Sequence, residues 1–485
     1  MNVFCRTFPS ASSWCRQSQI YAACQLTTSH LSGKIMSKAG DKRPNLLEGK
    51  VSPPPGKRRQ ISTTTQKTVA NFFTPSSQKL PDPIKWREVN GSLLVGRFSD
   101  FSPKQIHSAD GAKIKVAAFD FDSTIIAPLS GNKFARDAND WKWWHPSVPG
   151  ILRSLRDKGY VLAIVSNQGG INLNHNPKLP KAHTKRLHDF KSKAAAVLTQ
   201  LDIPTIGIYA ATANDVHRKP RPGMWREFLS DSDLEHDDID LEESLFVGDA
   251  GGRTAEGKLK KDFSCSDRNF AANIGLKYLT PEEFFLNEEP RVFLRVFDPI
   301  NYVAKDAIKN GTVSVELFSK TDSLDIVLFC GSPGCGKSTF YWKYLQPLEY
   351  ERVNQDLLKS RDRCLKIASE YITDKKVSVA VDNTNADPET RAHWVHLAKK
   401  LNVPIRCVLF TAPSEVCEHN DVVRALNHEE MNPEKRNILP KVAFAGFATR
   451  YQPPKLEEGF QDIVTVNFQF EGTAEQRQIW SHYWV

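Results

Sequence analysis

Acidic residues are missing from the first forty positions of the chain, although Arg6, Arg16, Lys34 and Lys38 stand there among many Ser and Thr. An acid-free, basic, hydroxyl-rich leader has the composition of a mitochondrial presequence, expected over residues 1–35, with Met36 as a second start. The imbalance stops early. Residues 1–80 hold twelve Lys/Arg against two acids, and the remainder holds 53 against 54. The formal charge of +9 therefore belongs to the N-terminal segment, which excludes a uniformly basic folded body. The nine cysteines include no C-x-x-C pair and no His/Cys cluster at ligand spacing, which argues against structural zinc and for a reduced, intracellular chain. No apolar run approaches the eighteen residues of a membrane-spanning helix.

Residues 36–110 read as a disordered arm, rich in Pro, Ser, Thr and Lys at its start. Its Lys57, Arg58 and Arg59 form a short basic cluster of the kind nuclear import reads, so nucleus and mitochondrion are both expected locations. Gln66, Val69, Phe72 and Phe73 give the spacing Q-x-x-V-x-x-F-F. That spacing resembles the peptide that plugs into the sliding clamp PCNA, one turn offering three apolar anchors to a pocket.

Beyond residue 110 the texture changes. "KVAAFDFD", "YVLAIVSNQ", "TIGIYAAT" and "SLFVGDA" are short apolar runs separated by helical stretches, and "DIVLFCG", "KVSVAVDNT" and "PIRCVLFTA" form a second series. Continuous apolar strands alternating with helices predict parallel sheets covered on both faces. The expected fold class is α/β with two tandem domains, 111–285 and 322–485, joined by a linker over 286–321.

Ligands of such sheets lie at the carboxyl ends of strands. Asp120 and Asp122 stand at one, two residues apart on an extended chain, so both face one cavity. Two carboxylates so close call for a divalent cation or a shared proton. Asp120 can attack phosphorus and Asp122 can protonate the leaving oxygen. Ser166 and Asn167 can donate to the transferring phosphoryl, Lys219 can neutralise it, and Asp249 can hold Mg²⁺ with Asp120 and the Asp122 carbonyl. Asp267 is a further acid, structural or supporting. The set D-x-D-S-T, then Ser/Thr, K-P and G-D resembles the haloacid-dehalogenase (HAD) phosphatase superfamily.

"CGSPGCGKST" fits G-x-x-x-x-G-K-[ST] directly after a strand. Gly331, Gly334 and Gly336 let backbone N–H groups surround phosphates of ATP; Lys337 spans the β- and γ-phosphates, Ser338 ligates Mg²⁺, and Thr339 follows. A kinase also needs a carboxylate for the acceptor proton, and Asp356 is the candidate, with a helix N-cap as its structural alternative. Asp382 and Asn383 suit metal or substrate contact. Arg424 can stabilise the transferring phosphoryl from a lid, or lie on a solvated helix face.

A phosphatase followed by a P-loop kinase resembles the eukaryotic polynucleotide kinase 3′-phosphatase family over about residues 110–470, including "KDFSCSDR", "TPEEFF", "VNQD" and "LEEGF". The resemblance implies a DNA end-processing enzyme, monomeric, that removes 3′-phosphate and phosphorylates 5′-hydroxyl ends at strand breaks. It departs from the vertebrate pattern in having no expected N-terminal phosphopeptide-binding domain. A lid arginine of the family is Val422 here, and Ala443–Arg450 lacks the usual basic pattern. Two alternatives stay open: an RNA-end-healing enzyme, and a clamp-bound phosphatase whose kinase has weakened. A small-molecule phosphatase–kinase ranks last. Trp141, Trp143 and Trp144 could stack on a base or fill the core.

Overall fold

A computed structural model describes residues 84–98, 113–173, 181–303, 317–427 and 429–485. The presequence, Met36, the basic cluster at 57–59 and the clamp-like peptide at Gln66, Val69, Phe72 and Phe73 lie outside these residues.

The described chain opens with a hairpin, β1 (Ile84–Val89) and β2 (Leu93–Phe98), turning at Asn90 and Gly91, both at positive φ. An Asn-Gly pair is the turn that matches the twist of paired strands. This corrects the expectation of an irregular arm as far as residue 110. β2 is apolar at Leu93, Leu94 and Val95, all buried, and joins the sheet of the first domain.

That sheet continues with β3 (Val116–Phe119). A small flap follows, β4 (Ile126–Ala127) paired with β5 (Lys142–Trp143). Then come β6 (Val161–Asn167), β7 (Gly207–Ala211), β8 (Leu245–Val247) and β9 (Lys277–Leu279). The order is β1-β2-β7-β6-β3-β8-β9, parallel from β7 to β9 and antiparallel at the hairpin edge. β3 shows why the run is apolar throughout. Ala117 and Phe119 join one core with Leu152, Phe190 and Phe285, whereas Val116 and Ala118 join another with Trp225, Phe246 and Phe270. A strand covered on both faces needs no polar alternation.

The second sheet has the order β11-β12-β10-β13-β14 and is wholly parallel, from β10 (Ile326–Cys330), β11 (Glu351–Val353), β12 (Val379–Val381), β13 (Ile405–Phe410) and β14 (Ile463–Val466). β10 repeats the two-faced pattern, Ile326 and Leu328 on one core and Val327 and Phe329 on the other. Cys330 and Cys335 are free, buried thiols. Among the described residues no helix is long and apolar enough to cross a membrane.

The segment expected as a linker is structured where it is described. Val292 and Leu294 exchange backbone hydrogen bonds with Thr254 and Gly252. Phe297 and Tyr302 then pack against the apolar cluster of Val416, Val422, Phe470, Trp480 and Trp484. The chain end completes this seam. Asn273 donates to the Tyr483 carbonyl and accepts from the Tyr483 N–H, and Arg221 Nε donates to the Trp484 carbonyl.

Candidate active sites

At the end of β3, Asp120 is buried, and its Oδ1 accepts from Lys219 Nζ at 2.7 Å. The same ammonium reaches Asp267 Oδ1 at 2.8 Å and donates to the Val165 carbonyl at 2.8 Å. Carboxylate oxygens of Asp120, Asp249 and Asp267 lie within 4.8 Å of one another. Gly248, just before Asp249, permits this approach: a Cβ there would lie 2.4 Å from Asp267 Oδ2. Burial pushes the Asp120 carboxyl up to about 7, Lys219 opposing and Asp267 adding. Burial with the charges of Asp120 and Asp267 takes Asp249 up to about 9. Burial alone would depress the Lys219 ammonium, but its two carboxylate partners outweigh that and raise it. Three carboxylates around one ammonium leave excess negative charge, and their spacing fits a hard divalent cation.

Asp122 is half exposed and lies beside this acidic group rather than in it. Gln168 Nε2 donates to its Oδ2 at 2.6 Å, and Lys193 Nζ lies 3.3 Å from Oδ1. Gln168 also donates to Ser166 Oγ at 3.0 Å, so Ser166 faces the same cavity. Asn167 does not. Its amide donates to the Lys219 carbonyl and accepts from the Lys219 N–H, so the side chain braces that lysine. Trp141, Trp143 and Trp144 all pack on the core beside the flap, Trp144 5.8 Å from Phe285. The freer aromatics are Phe134 of the flap and Phe263, three-quarters exposed, with Lys133 Nζ 5.4 Å and 6.0 Å from their rings. Sequence reading passed over both, because isolated Phe residues in polar loops carry no motif.

The second site lies at the end of β10. Gly334 is at positive φ, and a Cβ there would lie 2.3 Å from the Cys417 carbonyl, so only glycine permits this loop. Lys337 Nζ donates to the carbonyls of Gly331 and Ser332, folding into its own loop, and Thr339 is exposed one residue past Ser338. Gly336 begins the short helix Lys337–Phe340 at a φ of 100°. Ser338 Oγ donates to Asp382 Oδ2 at 2.8 Å, a hydroxyl–carboxylate pair that fits Mg²⁺. Asp382 thus sits against the phosphate loop. Asn383 Oδ1 accepts from the Gln355 N–H and steadies the turn carrying Asp356. The cap of that turn is Asn354, whose Oδ1 accepts from Asp356 and Leu357 N–H groups. The Asp356 carboxylate is left exposed, which removes the capping alternative.

Residues 115–285 match the family described as polynucleotide kinase 3 phosphatase, and residues 326–454 match an AAA domain. The bifunctional polynucleotide phosphatase/kinase of Schizosaccharomyces pombe is 39% identical over 387 residues, covering 79% of this chain and 85% of the relative. The chain belongs to the bifunctional polynucleotide phosphatase/kinase family. The polynucleotide 3′-phosphatase of Saccharomyces cerevisiae is 30% identical over 231 residues, 38% of this chain and 94% of that protein.

In this family member the structure adds residues that motif reading missed. Asp267 is Lys219's second partner; its position in "DFSCSDR" was visible, its pairing was not. Arg352, in the middle of β11, donates from Nε to Asp382 Oδ2 at 2.8 Å and from Nη2 to Ser338 Oγ at 3.0 Å. Arg424 is not on a solvated face. It is largely buried, its Nη2 donates to Asp421 Oδ1 at 2.6 Å, and its Nε has no partner among the described residues.

Proposed function

We propose that the chain repairs strand breaks in DNA with two phosphoryl-transfer sites, hydrolysing a 3′-phosphate at one and phosphorylating a 5′-hydroxyl from ATP at the other. The observation that carries this reading is the pairing, in one chain of this family, of a buried Asp120–Lys219 contact with a Ser338–Asp382 contact beside an exposed Asp356.

In the phosphatase half, an Asp120 oxygen attacks phosphorus as the bond to the 3′-oxygen breaks. Asp122, presented by Gln168 and Lys193, gives its proton to that oxygen. It then takes a proton from water, which attacks the aspartyl-phosphate and frees Asp120. Lys219 balances charge on the phosphoryl while Ser166 donates to it. Mg²⁺ held by Asp120, Asp249 and the Asp122 carbonyl would supply further charge neutralisation. In the kinase half, Asp356 accepts the proton of the 5′-hydroxyl, whose oxygen attacks the γ-phosphorus as the bond to ADP breaks. Lys337 supports the β- and γ-phosphates, and Ser338 and Asp382 would hold Mg²⁺.

Phe134 and Phe263 beside Lys133 favour a strand end as substrate, since bases stack on exposed rings and phosphates attract the ammonium. The proposal extends to the preceding residues: a clamp contact through Gln66, Val69, Phe72 and Phe73 in the nucleus, a mitochondrial location directed by the acid-free residues 1–35, and a monomeric enzyme.

The test uses nicked DNA bearing a 3′-phosphate and a 5′-hydroxyl, with ATP and Mg²⁺, beside an RNA version. Asp120→Asn should abolish only dephosphorylation and Lys337→Ala only phosphorylation. Preference for RNA would sink the DNA assignment, and an unmodified chain that left 5′ ends bare would sink the kinase half.

A further inference from the structure

The helix Ser414–Leu426 is where a lid cation would be sought, and it does not present a free one. Val422 is buried in the apolar cluster with Phe470, Trp480 and Trp484. Arg424 is held by Asp421, which also accepts from the Leu439 N–H. A different segment, Glu429–Pro440, reaches the site. There Arg436 is anchored by its N–H to Asn432 Oδ1 and by Nε and Nη2 to Glu434. Its Nη1 points at Asp356 Oδ2, 3.5 Å away, longer than a hydrogen bond. Glu434 in turn accepts from Arg352 Nη1 at 2.6 Å, and Arg352 donates to Ser338 Oγ.

The order in space is therefore Ser338, Arg352, Glu434, Arg436, Asp356. Ser338 marks the donor phosphates and Asp356 the acceptor oxygen, so a phosphoryl in flight lies between them. Arg352 has both faces covered by Asp382 and Glu434. Arg436 has a donor pair on Glu434 and one nitrogen directed into the gap. We infer that Arg436 is a catalytic residue of the kinase half: its guanidinium contacts the transferring phosphoryl. Negative charge on the equatorial oxygens is what an arginine in this place offsets. Glu434 holds the guanidinium ready, and the bridge to Arg352 keeps the loop at the site. The inference rests on the kinase reading above.

The experiment compares the unmodified full chain with Arg436→Ala and Arg436→Gln. It measures kcat and KM for ATP and for a 5′-hydroxyl oligonucleotide. It also measures affinity for ADP with and without aluminium fluoride, by displacement of a fluorescent ADP analogue. Phosphatase rate in each preparation reports the integrity of the fold. Both variants should lose about 10³-fold in kcat, and affinity for ADP–aluminium fluoride should fall while that for ADP stays within about 3-fold. If Arg436→Ala also lowers the phosphatase rate, Arg436→Gln, which can still donate to Glu434, decides the outcome alone. A variant kcat within about 3-fold of the unmodified chain, or equal losses in both affinities, overturns the assignment and leaves the kinase standing. An unmodified chain without 5′-phosphorylation overturns both.

Discussion

Lys219 Nζ lies 2.7 Å from Asp120 Oδ1, and both side chains are buried. The contact brings a buried ammonium onto the nucleophile and, through Asp267, onto a second carboxylate. Lys219→Met should therefore act in two ways. Phosphatase kcat should fall by about 10²-fold or more, since charge on the phosphoryl loses its partner. The metal-free protein should also unfold at lower temperature, because Asp120 and Asp267 are left buried with one cation fewer. Kinase rate in the same preparation should hold, and a parallel loss of kinase would contradict the assignment.

The acidic cluster makes stability depend on pH. Burial and the neighbouring carboxylates push Asp120 up to about 7 and Asp249 up to about 9 in the folded chain, both above an ordinary aspartate. Between about pH 4 and 9 the folded state then binds more protons than the unfolded one, so this contribution is present at low pH and is lost as pH rises. Melting temperature in chelator should fall across that window. Mg²⁺ should raise it more at pH 8 than at pH 5, and Asp249→Asn should flatten the dependence. A Mg²⁺ effect equal at both pH values would show that the cluster does not hold the cation.

Asp122 owes its direction to Gln168 and Lys193, which hold one oxygen each. Gln168→Ala should lower phosphatase kcat by about 10-fold with little change in KM, because the proton donor loses its aim and the substrate keeps its contacts. Steady-state kinetics on a 3′-phosphorylated oligonucleotide read this directly. A rise in KM at constant kcat would assign Gln168 to binding instead.

Gly334 admits no side chain: its φ is left-handed and the Cys417 carbonyl fills the space a Cβ needs. Gly334→Ala should weaken ATP binding by at least about 10-fold through displacement of the phosphate loop. Phosphatase turnover should be unchanged. Equilibrium binding of a fluorescent ATP analogue separates the two effects.

Much of this architecture was legible in the residues. Two-faced apolar strands such as "KVAAF" and "DIVLF" announced parallel sheets, and the acids and glycines after them marked the sites. The hairpin of β1 and β2 was legible too, since Asn90–Gly91 stands between apolar stretches, but the Pro/Ser/Thr-rich residues before it dominated the composition of the window. Asp267 could be seen as an acid yet not as Lys219's partner, because 48 positions separate them and only the packing of the loop after β7 against the start of the helix Ser266–Ile274 joins them. Arg352 and Arg436 had no such chance. One reads as part of a short strand and the other as part of a charged loop, and Glu434, which connects them, has no spacing rule to reveal it. Asn167 shows the limit from the other side: its place beside Ser166 suggests a phosphoryl contact, and nothing in the sequence shows that its amide matches the backbone of Lys219 in both directions.

The last residues of the chain bear on how the two halves can be exchanged. Tyr483 and Trp484 belong in sequence to the kinase, but their carbonyls are held by Asn273 and Arg221, the latter two positions from Lys219. Trp480, on the same terminal segment, donates to Asn420, which donates to the Gly334 carbonyl. A chimera that grafts a foreign kinase onto this phosphatase at residue 320 would discard one side of that seam and leave Arg221 facing an unrelated surface. The transplantable unit is the kinase together with its final turn and the surface of the phosphatase that receives it, so these enzymes should recombine as matched pairs rather than as interchangeable cassettes.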